Sequence, residues 1–193
     1  MFYCKMSYCV FSSLSFITNC VAAYLYGEYI YSILWGLLCI TSVLTHGLRS
    51  FTNVHTVYFE ETYNNISMPH RLLFWAFMAD KIVLYLVVIC GVCLIYDKIQ
   101  SRKHIWGSIN SNVNMNVKST GAVDTNITNI NEPVFEVICW ICIVVTFVLT
   151  FVLYCYGYIR SMYSFDPVLD VANKWHCMVH WIGSFGHHCI LLL

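Results

Sequence analysis

Five polar residues stand inside otherwise apolar runs at spacings that would let them share one reaction centre: Ser42, His46, Asp80, His176 and His180. Ser42 and His46 are four residues apart, as are His176 and His180, and residues four apart lie on one face of an α-helix. Two imidazoles at that spacing can reach one metal ion, as they do in helical zinc sites. A third, from His46, would leave the fourth tetrahedral position to water, whose pKa zinc lowers towards about 7. Asp80 would then act as general base or orient the water, and Ser42 would donate a hydrogen bond to the oxyanion that develops on an attacked carbonyl. Each residue also has a plainer reading. A serine in a membrane span commonly bonds back to its own helix, His46 and His176 lie near the predicted ends of their spans, and Asp80 beside Lys81 would make an internal charge pair that joins helices.

The elements that must position these residues are helices in a membrane. Of 193 residues, 59% are apolar and 10% are charged, against roughly 25% charged in an ordinary soluble domain. One aqueous core of this size cannot hide so much apolar surface. Ten basic residues balance ten acidic ones, so no net charge steers the chain to nucleic acid. The composition excludes a soluble enzyme, a nucleic-acid binder and an acidic disordered tail. It predicts one all-α domain, a polytopic transmembrane bundle.

A span needs about 20 mostly apolar residues. Five runs qualify, at about 8–26, 30–49, 72–96, 134–158 and 174–193, with breaks at Gly27-Glu28, Pro69 and Pro133. The fifth is the least apolar and carries His176, His180, His187 and His188. The first resembles a signal peptide, with Ala22 and Ala23 as a small-residue cleavage site. Ser12, Ser13, Ser15 and Asn19 set it apart from a plain apolar leader and favour a retained helix. Residues 97–133 are rich in Asn, Ser and Thr and read as a flexible polar loop. The sequons at Asn65 and Asn126 fall in loops on opposite sides of the membrane, so at most one can carry a glycan. Lys98, Arg102 and Lys103 form the strongest basic cluster, which places that end of the third span in the cytosol. Counted from the span ends, Ser42, His46, Asp80, His176 and His180 then lie in one half of the bilayer, whichever way the bundle faces.

This set of residues resembles the CREST superfamily of membrane hydrolases, which takes in alkaline ceramidases, adiponectin and progestin receptors, and post-GPI-attachment phospholipase and myomaker-like proteins. The family has Ser-x-x-x-His on its second helix, Asp on its third and His-x-x-x-His on its last, similar to Ser42 with His46, Asp80, and His176 with His180. Gly183 stands where ceramidases often carry glycine, and Thr18-Asn19 is a weaker echo of a Ser/Thr-Asn pair. The resemblance implies zinc held by His46, His176 and His180, hydrolysis of a lipid amide or ester, and a membrane lipid as partner. The chain departs from the family in having five predicted spans instead of seven, in Lys81, and in lacking a match to the acidic calcium site of the ceramidases.

Three other readings compete. Cys90-Gly91-Val92-Cys93 and Cys139-Trp140-Ile141-Cys142 are Cys-x-x-Cys pairs in adjacent spans that could meet as a thiol oxidoreductase. Most of the eleven cysteines lie in apolar runs, where Cys behaves as a small hydrophobe, and no disulfide framework is expected. Histidines on facing helices could ligate haem, although a pair on one helix is the wrong arrangement for two axial ligands. A non-catalytic assembly or interaction factor would use none of these groups chemically.

Overall fold

The computed structural model describes residues 8–52, 68–117 and 131–193. The described residues form helices α1 (Tyr8–Ser13), α2 (Ser15–Leu25), α3 (Tyr29–Thr52), α4 (Met68–Val117), α5 (Asn131–Arg160) and α6 (Leu169–Leu192), with a short 3-10 turn at Tyr163–Phe165. There is no strand among them. Four segments are long and apolar enough to cross a membrane: Tyr8–Leu25, Tyr29–Arg49, Arg71–Lys103 and Val134–Phe165.

Local chemistry explains where the helices bend and stop. Ser12 and Ser13 both donate to the Cys9 carbonyl, at 3.0 and 2.7 Å, and Ser15 donates to the Ser12 carbonyl at 2.6 Å. Such back-bonding competes with the helix ladder, and the rod tightens at Leu14, whose N–H bonds Phe11 O. α2 ends where Gly27 takes a φ of +80° and the Glu28 N–H reaches back to Ala23 O at 2.9 Å. This is the left-handed closure that glycine adopts without penalty. Pro69 and Pro133 stand in the first turns of α4 and α5, where a missing N–H is harmless.

The chain runs up, down, up, down, up, and α6 meets every other helix while its Met178, Trp181 and Phe185 side chains stay exposed. It meets α1 through Ser12 and His180, α2 through Asn19 and Ser184, α3 through His46 and Tyr31, α4 through Lys98 on the Leu191 carbonyl, and α5 through Cys142. One apolar cluster gathers Phe16, Ala23, Tyr31, Trp35, Val87 and Leu191. A second gathers Ile143, Cys189 and Ile190. α4 and α5 present apolar surface outwards, with Ile82, Ile89, Val92, Ile141, Val148 and Phe151 all exposed, as lipid-facing helices do.

The structure corrects the sequence reading in three places. The third apolar run does not stop at 96: α4 continues through Val117, so residues 97–117 of the expected polar loop are helical. Extending an existing helix adds a hydrogen bond per residue without a new nucleus, so polar residues can continue it beyond the apolar span. Asn126 and Asn65 lie outside the described residues. The fifth run starts at Leu169, five residues before the expected 174. That puts His176 about two turns and His180 about three turns into α6. Lastly, α6 is not among the four helices apolar enough to span by composition. It is 24 residues long, about 36 Å, and carries its polar groups against other helices.

The basic cluster also has a local role. Lys98 donates to Leu191 O at 3.1 Å and Arg102 to Leu193 O at 2.7 Å, and Arg102 pairs with Glu136 of α5. Cations on the last carbonyls of a helix offset its dipole.

Two glycines give a test of this packing. A β-carbon at Gly91 would lie 3.1 Å from Tyr31 Oη and 3.3 Å from His187 Cε1, whereas one at Gly183 meets nothing within 4 Å. Gly91→Val is expected to destabilise the detergent-solubilised protein by about 1–3 kcal/mol through overpacking. Gly183→Ala, with its better helix propensity, should leave the melting temperature unchanged or raise it. Thermal unfolding of both variants beside the parent protein checks the contrast.

Candidate metal centre

α3 and α6 bring three imidazoles together. The rings of His46 and His176 are 5.0 Å apart between centroids, those of His46 and His180 5.5 Å, and those of His176 and His180 4.6 Å. One nitrogen from each lies within 4.8 Å of the others. The i, i+4 spacing puts His176 and His180 on one face of α6, and the antiparallel approach of α3 adds His46. His46 is buried and the other two are half-buried, so the cluster is sheltered but reachable.

The donor set fits a divalent metal of intermediate softness, for which imidazole is the commonest ligand. Tetrahedral bonds of 2.0–2.1 Å would set the nitrogens about 3.3 Å apart. About 1.5 Å at most remains to be closed, which rotation of the rings can supply.

Hydrogen bonding prepares one ring for this. The Ser12 hydroxyl donates to Cys9 O and lies 2.9 Å from His180 Nδ1. With its proton on the carbonyl, Ser12 accepts from Nδ1–H, and Nε2 of His180 keeps its lone pair for a metal. Phe16 packs on the same ring at 4.9 Å and limits its rotation. Ser12 and Ser13 were legible only as polar exceptions in the first apolar run, because their partners lie on other helices.

The remaining candidates are arranged differently from the simplest expectation. Ser42 is buried and its Oγ is 2.8 Å from Ser13 Oγ. Ser13 donates to Cys9 O, so the Ser42 proton points to Ser13. Asp80 is not among the three clustered ligands. It accepts from Thr41 Oγ1 at 3.2 Å, and Thr41 is five residues, about 7.5 Å of helix, from His46. Lys81 turns to other neighbours, its ammonium 5.3 Å over Phe77 and 5.6 Å over Tyr154 of α5. Asp80 and Lys81 thus link α4 to α3 and α5 respectively.

His187, one heptad beyond His180, occupies a separate site. It is buried, hydrogen-bonded through Nδ1 to Tyr31 Oη, and edged by Trp35 and Phe147. Of the two Cys-x-x-Cys motifs, Cys90 packs on the cluster around Trp35 and Cys142 on the cluster around Cys189, with Leu94 packed against both clusters.

Comparison with protein families, curated proteins and solved structures finds no match to the chain. The protein is an all-α bundle with four membrane-competent helices among the described residues and a three-histidine cluster able to hold a metal ion.

If Ser12 fixes the tautomer of a metal ligand, Ser12→Ala will weaken divalent-metal affinity about 10–100-fold, the range for lost outer-shell bonds. Competition with a calibrated chelator measures it. Ser15→Ala, which removes only a bond to the Ser12 carbonyl, serves as the control and should change affinity less than about threefold.

Proposed function

We propose that the protein is a zinc-dependent integral membrane hydrolase of the CREST type that cleaves a lipid amide or ester. The observation that carries the reading is the meeting of His46, His176 and His180 between two helices of a bundle rich in membrane-competent segments. Three imidazoles, His46 buried and His176 and His180 half-buried, would hold zinc through three ligands and leave a fourth position to water, as catalytic rather than structural zinc sites do. Ionisable groups at membrane depth are costly and are kept for function.

Zinc bound there supplies Lewis acidity and a water acidic enough to ionise near neutral pH. The chain's own groups divide the remaining work. His180 is held in the metal-binding tautomer by Ser12. Asp80 takes the proton of the attacking water and returns it to the leaving amine or alcohol, while the water oxygen joins the acyl carbon and the C–N or C–O bond breaks. Thr41 orients the Asp80 carboxylate through one oxygen and leaves the other for the water. Ser42 reaches the oxyanion by rotating its hydroxyl away from Ser13, which exchanges one neutral hydrogen bond for a charge-assisted one.

The test begins with metal. Protein purified in detergent without chelator should contain about one zinc per chain by mass spectrometry, and His176→Ala and His180→Ala should each lose it. Amide- and ester-linked lipids in mixed micelles should then be cleaved by the parent protein, with activity removed by chelator and restored by zinc. Asp80→Asn should retain zinc and lose about 10²–10⁴-fold in kcat. Absence of zinc from every chelator-free preparation would overturn the hydrolase reading and leave a non-catalytic membrane protein. Full activity in Asp80→Asn would remove the role given to that carboxylate.

A further inference from the structure

Cys9 of α1 and Cys177 of α6 lie with their sulfurs 3.5 Å apart. Neither belongs to a Cys-x-x-Cys motif, and 168 residues separate them, so only the parallel packing of α1 on α6 joins them. Cys9 is 1% exposed, and its thiol faces the Asn173 carbonyl at 3.5 Å and Asn173 Oδ1 at 3.8 Å. Cys177 is half-buried. A disulfide bond is about 2 Å long, so the sulfurs need approach by only about 1.5 Å, a movement within side-chain rotation.

The pair adjoins the histidine cluster on both helices. Cys177 follows His176 directly. The Cys9 carbonyl accepts the hydroxyls of Ser12 and Ser13, and these in turn meet His180 and Ser42. Holding Cys9 therefore holds the turn of α1 that presents Ser12 to His180.

We propose that Cys177 and Cys9 form a reversible thiol–disulfide site that ties α1 to α6 beside the three histidines. The more accessible thiol, Cys177, attacks a small aliphatic disulfide, forms a mixed disulfide and releases one thiol. The buried Cys9 then displaces the second thiol and closes the Cys9–Cys177 bond. Two protein thiols are oxidised, one external disulfide is reduced to two thiols, and each protein thiol proton ends on a released thiol. The cross-link restrains Ser12 under His180, so the oxidised protein releases metal more slowly. This consequence rests on the metal reading above; the cross-link itself does not.

The full chain in detergent, equilibrated with oxidised glutathione and then alkylated, is digested and mapped by mass spectrometry. A peptide pair joined through Cys9 and Cys177 is expected, cleaved by dithiothreitol, absent in Cys177→Ser and retained in Cys93→Ser. Absence of that pair from the oxidised parent protein would overturn the site. Zinc-loaded samples are then challenged with chelator, where the oxidised form should release metal at least about threefold more slowly, a modest fraction of the 10–100-fold range for outer-shell effects. Equal release from both forms would remove the coupling and leave the cross-link. A protein that takes up no zinc would defeat the metal reading, with the peptide map still deciding on the cysteines.

Discussion

A polar side chain placed within a bilayer must find its partner in protein, because the hydrocarbon layer has none to give. In this chain that demand concentrates on α6. Nearly every turn of the helix carries a group that lipid would not accept, and nearly every turn is met by another element. Asn173 and Cys177 meet Cys9; His176 and His180 meet His46 and Ser12; Ser184 meets Asn19 at 2.7 Å; His187 meets Tyr31; and the final carbonyls meet Lys98 and Arg102. A helix that exposes only Met178, Trp181, Phe185 and Leu192 as a large apolar stripe turns its polar groups inwards and becomes the element to which the other helices are bonded.

This ladder of polar contacts fixes register as well as depth. Apolar ridges pack acceptably at several offsets, whereas a shift of one turn along α6 would part each hydrogen bond from its partner at once. Buried polar groups can thus specify an arrangement beyond what they add in stability. Gly91 shows the same constraint in apolar terms, since its missing side chain is the space in which Tyr31 and His187 meet. The histidine cluster is one rung of this ladder. It differs from the others in joining three imidazoles that have nitrogen lone pairs to share, where the other rungs pair a donor with an acceptor.

The helices divide the remaining work. α1, α2 and α3 close around the His-bearing face of α6, while α4 and α5 expose most of their apolar side chains and present the bundle to lipid. The long helix α4 does both, reaching Thr41 through Asp80 at one level and the end of α6 through Lys98 and Arg102 at another. The thiols divide in the same way. Cys90 and Cys142 pack on different apolar clusters, while Cys9 and Cys177, which do meet, are distant in sequence.

The helical class, the first four apolar spans and the shared face of His176 and His180 were determined by the sequence alone, since each follows from composition or from a period of 3.6 residues that needs no knowledge of neighbours. The proline and glycine breaks were legible for the same reason. The extension of α4 beyond residue 96 was not, because Asn, Ser and Thr have weak preferences that an existing helix overrides. Only the tertiary structure decided that Ser12 serves His180, that Ser42 is bonded to Ser13, that Asp80 turns to Thr41, and that Cys9 meets Cys177. Those pairings depend on the rotation of each helix about its axis and its register against the next. Both are settled by the whole set of side chains packing at once, and no local window of sequence contains that information.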